Sequence, residues 1–102
     1  MIRACGNKEL EKLARAFKAL SNPNRLAIYL EVMQQYRTEV KSCGLSHLID
    51  RLEIGAPTLS HHTKELVDAG LISVQRDGRF ILCTLDEKMR DRLAQFFGRD
   101  GK

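Results

Sequence analysis

Near Gly70 the hydrophobic pattern of this chain changes period. Upstream, apolar residues recur every three or four positions, as on one face of a helix; between Leu71 and Leu85 they alternate. The alternating stretch is interrupted by Arg76-Asp77-Gly78-Arg79. Asp-Gly at the centre of such a run is a hairpin signal, because both central positions favour positive φ. The spacing predicts strands over Leu71 to Gln75 and Phe80 to Leu85. Helical spacing then returns from about Asp86 to Phe97, with Met89, Leu93, Phe96 and Phe97 on one side.

Before the change of period, Gly, Pro and Asn cut the chain into four helical pieces. The first runs from about Lys8 to Leu20, with Leu10, Leu13, Ala14, Phe17 and Leu20 at helical spacing. Ser21-Asn22-Pro23 stops it and starts another: Asn22 is a good N-cap, and Pro23 suits the first helical position, where its missing N–H is not needed. This second helix carries Leu26, Ala27, Leu30, Val32 and Met33 and fades near Tyr36. Arg37 to Ser42 is polar and β-branched, readable as a loop or a short strand. Gly44 to Leu52 is a third short helix, and after the Glu53-Ile54-Gly55-Ala56 turn Pro57 opens a fourth that runs to Ala69, with Gly70 as its left-handed cap. The expected fold is mainly α with a small β-hairpin, in the order α-α-α-α-β-β-α.

At 102 residues the chain has room for one domain. So small a unit buries a modest fraction of its surface, which favours association with a second copy. The formal net charge is +4, compatible with a polyanionic partner but common among ordinary solvated surfaces. No apolar run approaches the roughly 20 residues a membrane helix needs. Met1 to Leu10 lacks the apolar core of a secretion signal, so a cytoplasmic protein is expected. Three cysteines, an odd number, point to free thiols rather than a disulfide framework.

Two short helices joined by a tight turn and followed by a basic-tipped hairpin have a known use. The second helix can enter the major groove of double-stranded DNA, and the hairpin can reach the neighbouring backbone. With Leu59, Thr63, Leu66 and Gly70 as the inner stripe of the fourth helix, Pro57, Ser60, His61, Lys64 and Asp68 face outward and Thr58 lies on the flank. Thr58, Ser60 and His61 are compact hydrogen-bonding residues suited to base edges, and Lys64 suits a phosphate. Arg76 and Arg79 stand at the hairpin tip. A plain solvated helix face would also be polar, but the first two exposed turns here carry no acidic residue. His62 falls at the edge of the stripe, where packing or an orienting hydrogen bond is the expected role.

Three segments then resemble the ArsR/SmtB family. PTLSHHTKELVDAGLI, from Pro57 to Ile72, is similar to that family's recognition helix, of the form Pro-Thr-Val-Ser-x-His-Leu-x-x-Leu-x-x-Ala-Gly-Leu. FKALSNPNRLAI, from Phe17 to Ile28, resembles its Ala-Leu-Ser-Asp-Pro-Thr-Arg-Leu-x-Ile signature, and RDGRF, from Arg76 to Phe80, its wing tip. The resemblance covers nearly the whole chain. It implies a winged helix-turn-helix over residues 1–102, with dimerisation helices at both ends: a homodimeric repressor released from operator DNA by a metal, a metalloid or a thiol-reactive signal. The family dimer joins through its first and last helices, which here carry Leu10, Leu13 and Phe17, and Met89, Leu93, Phe96 and Phe97. Alternatively, these stripes complete the core of a single chain.

The family's sensing motifs do not carry over intact. Aligned on His47-Leu48, the arsenite-binding Cys-Val-Cys-Asp-Leu motif puts Gly44 and Ser46 at its two cysteine positions, with Cys43 one residue earlier. The histidine-containing zinc site of the last helix has no counterpart between Asp86 and Phe97. In the cadmium- and lead-sensing branch, cysteines on the N-terminal arm of one subunit meet those of the third helix of the other, and Cys5 with Cys43 resembles a reduced version of that pairing. Two thiolates can bind a soft ion such as As(III), or oxidise to a disulfide. His47, one helical turn from Cys43, could add a ligand or lower a thiol pKa. The plainer alternative makes Cys5 an incidental residue of the arm and Cys43 a half-buried loop thiol. Cys83 alternates with Ile81 and Leu85 and is expected in the core.

An enzyme is not expected: no acidic orienting residue has a clear place beside Cys43, His47, His61 or His62, and the chain is short for a substrate pocket. The alternatives are a winged-helix regulator with no metal or thiol input, and an interaction module that does not bind DNA.

Overall fold

A computed structural model describes residues 7–36, 43–78 and 80–98. Its elements are α1 (Asn7–Leu20), α2 (Pro23–Tyr36), β1 (Cys43–Gly44), α3 (Leu45–Leu52), α4 (Ala56–Asp68), β2 (Ile72–Asp77), β3 (Phe80–Leu85) and α5 (Glu87–Gly98). Five helices and an antiparallel hairpin thus follow one another in the order of a winged helix.

The helix ends are made by the residues expected to make them. Asn22 Oδ1 accepts from the N–H of Asn24 at 2.8 Å and of Arg25 at 3.1 Å, two of the donors a helix start leaves over. The Arg25 Nε–H reaches back to the Ala19 carbonyl at 2.7 Å, tying the end of α1 to the start of α2. Asp86 was expected as the first residue of the last helix. It is instead the cap of α5, accepting from the Met89 N–H at 2.9 Å.

Past the end of α4, Gly70 adopts φ +79°. Its N–H donates to the Val67 carbonyl at 2.9 Å, and the Leu71 N–H to that of Leu66 at 3.0 Å. This pair of bonds is the Schellman arrangement, and it satisfies carbonyls that would otherwise be orphaned. It also turns the chain sharply into β2, so the angle between α4 and the hairpin is set within two residues.

The hairpin is longer than the alternation implied. Arg76 pairs with Ile81 and Asp77 with Phe80, leaving Gly78-Arg79 as a two-residue loop. Among the described residues of the turn, Gly78 takes positive φ, at +65°, and Asp77 belongs to the strand. The third helix starts at Leu45 rather than Gly44, because Cys43 and Gly44 form a short strand on the other side of β3. Cys43 lies opposite Cys83 and Gly44 opposite Leu82, antiparallel.

Ile28 and Val32 of α2, Leu48 of α3, Leu59 and Leu66 of α4, Leu71 just before β2, and Cys83 of β3 are the largest fully buried side chains of one cluster. α5 joins the same cluster through Met89 and Leu93, and its end meets α1. Phe17 touches Phe96 and Phe97 at ring-centroid distances of 5.3 and 5.6 Å, and Arg92 Nε pairs with Glu9 at 3.3 Å.

The turn between α3 and α4 depends on a residue the glycine pattern did not mark. Glu53, not Gly55, holds the left-handed conformation, at φ 55°. A non-glycine residue there carries a steric cost of about 1 kcal/mol. Glu53→Gly is therefore expected to raise stability by up to about 1 kcal/mol. Gly70→Ala should lower it by about as much or more. A Cβ at Gly70 would meet Met89 Cε at an ordinary 3.6 Å, so that loss comes from the backbone rather than a clash. Urea unfolding of the two variants checks both signs.

Candidate nucleic-acid interface

Burial divides α4 as its periodicity required. Leu59, Thr63 and Leu66 are buried, and the Thr63 hydroxyl donates to the Leu59 carbonyl at 2.7 Å, so the one polar member of the stripe is satisfied within the helix. Ala56, Pro57, Thr58, Ser60, His61 and Lys64 are exposed, with Glu65 and Asp68 beyond them. The helix begins at Gly55 with no side-chain cap, Pro57 in its first turn and no acidic residue there. The positive end of the helix dipole and its first free N–H groups therefore lie beside Thr58.

Lys64 Nζ pairs with Asp68 at 3.2 Å, but both side chains are largely in solvent. An exposed i,i+4 pair of this kind contributes a few tenths of a kcal/mol, so it presents little obstacle to a phosphate. Arg76 is exposed on β2, and Arg79 lies outside the described residues. The exposed start of α4 and the free edge of the hairpin could meet one groove and its flanking backbone together.

His62 sits at the margin of the stripe, as its position suggested. Its Nδ1 is buried and has no hydrogen-bond partner among the described residues. Burial is the main cause that lowers its pKa, with the charge of Arg25 and then His61 adding, while Glu65 opposes.

The expected contact residues of a dimer fall into two groups. Leu13, Met89 and Leu93 are buried within the single chain, and Leu10 and Phe17 are half-buried. Phe96 and Phe97 remain 39% and 71% exposed, an aromatic surface at the end of α5 continuous with Phe17.

Of the sensing candidates, Cys5 and the Cys43 side chain lie outside the described residues. His47 is engaged elsewhere. Its Nε2 is 3.0 Å from Glu31 Oε2, which also receives Arg51 Nε at 3.4 Å and Gln35 Nε2 at 3.4 Å. The hydrogen bond from His47 is the largest of the causes that hold the Glu31 carboxyl below its usual range. This cluster joins α2 to α3. Sequence spacing could not find it, since the i,i+4 relations of Glu31 with Gln35 and of His47 with Arg51 are local but the link between the two pairs is not. No group of three His, Cys, Asp or Glu side chains placed to hold a metal occurs among the described residues. Nor is any described helix long and apolar enough to cross a membrane.

Comparison with known proteins places this geometry. No family model matches the chain. The arsenical resistance operon repressor of Staphylococcus xylosus is 31% identical over 88 residues, covering 83% of this chain and 76% of the relative. That of Bacillus subtilis is 34% identical over 87 residues, covering 84% and 78%. The chain belongs to the ArsR/SmtB family. It is a DNA-binding transcriptional regulator of winged helix-turn-helix type, not an enzyme. Among solved structures, the homodimeric winged helix-turn-helix domain Mb0332 of Mycobacterium bovis superposes with a TM-score of 0.70 at 20% identity, over 95% of this chain and 90% of that one, and shares its fold.

His62 gives a test of the helix packing. A histidine whose pKa is lowered by folding binds its proton more readily when unfolded. Stability contributed by neutral His62 is thus present above the unfolded value near 6.5 and lost as pH falls below it. Denaturant unfolding at pH 7.5 and 5.5 should show a smaller acid loss for His62→Gln than for the parent chain.

Proposed function

We propose that the chain is a homodimeric repressor whose residues 1–102 work as one unit on double-stranded operator DNA. In this reading Thr58, Ser60 and His61 contact base edges from the major groove, and Lys64, Arg76 and Arg79 contact the phosphate backbone. The supporting observation is the N-terminal half of α4, exposed and free of acidic side chains over a fully buried inner stripe. The second copy joins through α1 and α5, where Phe96 and Phe97 supply exposed aromatic surface next to Phe17, with Leu10 two turns away on the same side of α1; Leu13, Met89 and Leu93 support that face from beneath.

The names of the relatives favour a metalloid as the releasing signal. We assign release to a thiophilic ion such as As(III), or to thiol oxidation, acting at Cys5 and Cys43. His47 can add a ligand through Nε2 only by giving up Glu31.

Fluorescence anisotropy on a fragment from upstream of the gene tests the DNA contacts. Ser60→Ala and His61→Ala should each lose about 1–3 kcal/mol of specific affinity. Lys64→Ala should weaken all sequences alike and reduce the salt slope by about one. Binding unchanged in all three variants would refute the assignment of this face.

Sedimentation of Phe97→Glu should show monomers where the parent chain shows dimers. Arsenite should release the parent protein from DNA but neither Cys5→Ser nor Cys43→Ser; release that survives both substitutions would remove the thiols from sensing.

A further inference from the structure

The register of the small sheet brings two cysteines together that lie 40 positions apart in sequence. Cys43 on β1 is the direct antiparallel partner of Cys83 on β3. Residues opposite one another in such a ladder have Cα atoms about 4.5–5.5 Å apart. A disulfide needs about 4.4–6.8 Å between the same atoms. Backbone spacing therefore permits the bond without rearranging the sheet. The strand that would adjust is only two residues long and stands at the sheet edge, in the order β1-β3-β2. Cys83 is on the central strand, free and fully buried.

We propose that Cys43 and Cys83 form an oxidisable cross-strand dithiol, closed to a disulfide by low-molecular-weight disulfides such as oxidised glutathione. The Cys43 thiolate attacks one sulfur of the oxidant, forming a mixed disulfide and releasing one reduced thiol. Cys83 then loses its proton and attacks the Cys43 sulfur, expelling the second thiol. The protein gives up two electrons and two protons, and the oxidant becomes two thiols. The order of attack follows from burial, which pushes the Cys83 thiol up to about 11 and keeps it protonated until the neighbouring sulfur has been activated.

Closure brackets the reading head. The segment between the two cysteines contains α3, α4 and β2, and the bond ties the strand that leads into α3 to the central strand of the wing. It differs from the pairing of Cys5 with Cys43 in joining two residues of one chain within one sheet. It requires neither DNA nor a metalloid, so it stands or falls apart from the operator-binding reading; under oxidation it gives Cys43 a different partner from Cys5 and leaves the thiophilic-ion reading to the reduced protein.

The test uses the full chain, reduced and then incubated with oxidised glutathione, quenched with N-ethylmaleimide and mapped by peptide mass spectrometry without reduction. The expected product is an intrachain link between the peptides containing Cys43 and Cys83, formed equally in Cys5→Ser. The melting temperature should rise by several degrees and return on adding dithiothreitol. A link from Cys43 to Cys5 would overturn the proposal. So would a stable glutathione adduct on Cys43 with Cys83 still free to alkylate after unfolding. Because parent and Cys5→Ser both keep Cys83, neither readout depends on a substitution in the core.

Discussion

Everything the chain can present to DNA depends on how α4 is held. Leu59 and Leu66 are completely buried. Exposing either would forfeit about 1.5–3 kcal/mol of transfer free energy. The helix therefore has no freedom to roll about its axis, and the outward positions of Ser60, His61 and Lys64 follow from what the core takes on the opposite side. Thr63 strengthens the constraint. A β-branched residue with its hydroxyl bonded inside the helix packs like an apolar one and leaves no unsatisfied group behind.

Orientation along the other axis comes from the helix end. Gly70 reverses the backbone, the Leu71 N–H closes onto Leu66, and the Leu71 carbonyl in turn accepts from Asp86, the cap of α5. One short segment thus connects the end of α4, the first strand of the wing and the start of the last helix. The wing and α5 are both placed relative to α4 by hydrogen bonds rather than by loop length. That is why the exposed face of α4 and the wing keep a fixed relation over the core that the other helices supply.

This dependence on local rules explains how much was legible in the sequence. Asn22, Pro23, Gly70 and the apolar stripes act over one or two helical turns, so their consequences could be read directly. All five helices, the hairpin and the division of α4 into inner and outer faces were visible that way. What escaped were relations between distant residues. The ladder carries β2 on to Asp77, opposite Phe80, beyond Gln75 where the alternation ends, a relation across strands rather than along one. Glu31, with Gln35 one turn on in the same helix, gathers His47 and Arg51 only once α2 and α3 are packed. The pairing of Cys43 with Cys83 requires knowing that the segment before α3 joins the wing sheet. The split among the apolar residues of α1 and α5, with Leu13 buried and Phe97 exposed, likewise depends on how two helices cross.

The same distinction bears on why DNA reading and signal sensing leave such different traces. A reading helix must satisfy the core on one side and a groove of fixed dimensions on the other, and both demands fall on consecutive turns of one helix. The result is a dense pattern that can be read from one helix alone. A thiol site needs only two sulfurs a few ångströms apart, and many pairs of positions across a strand edge or a subunit contact can supply them. Gly44 and Ser46 stand where the arsenite-binding motif has its cysteines, yet Cys43 is one residue away and on a strand that faces another cysteine. Displacement by one position would destroy a base contact. For a sulfur it only exchanges one partner for another, so sequence spacing alone does not locate a thiol pair.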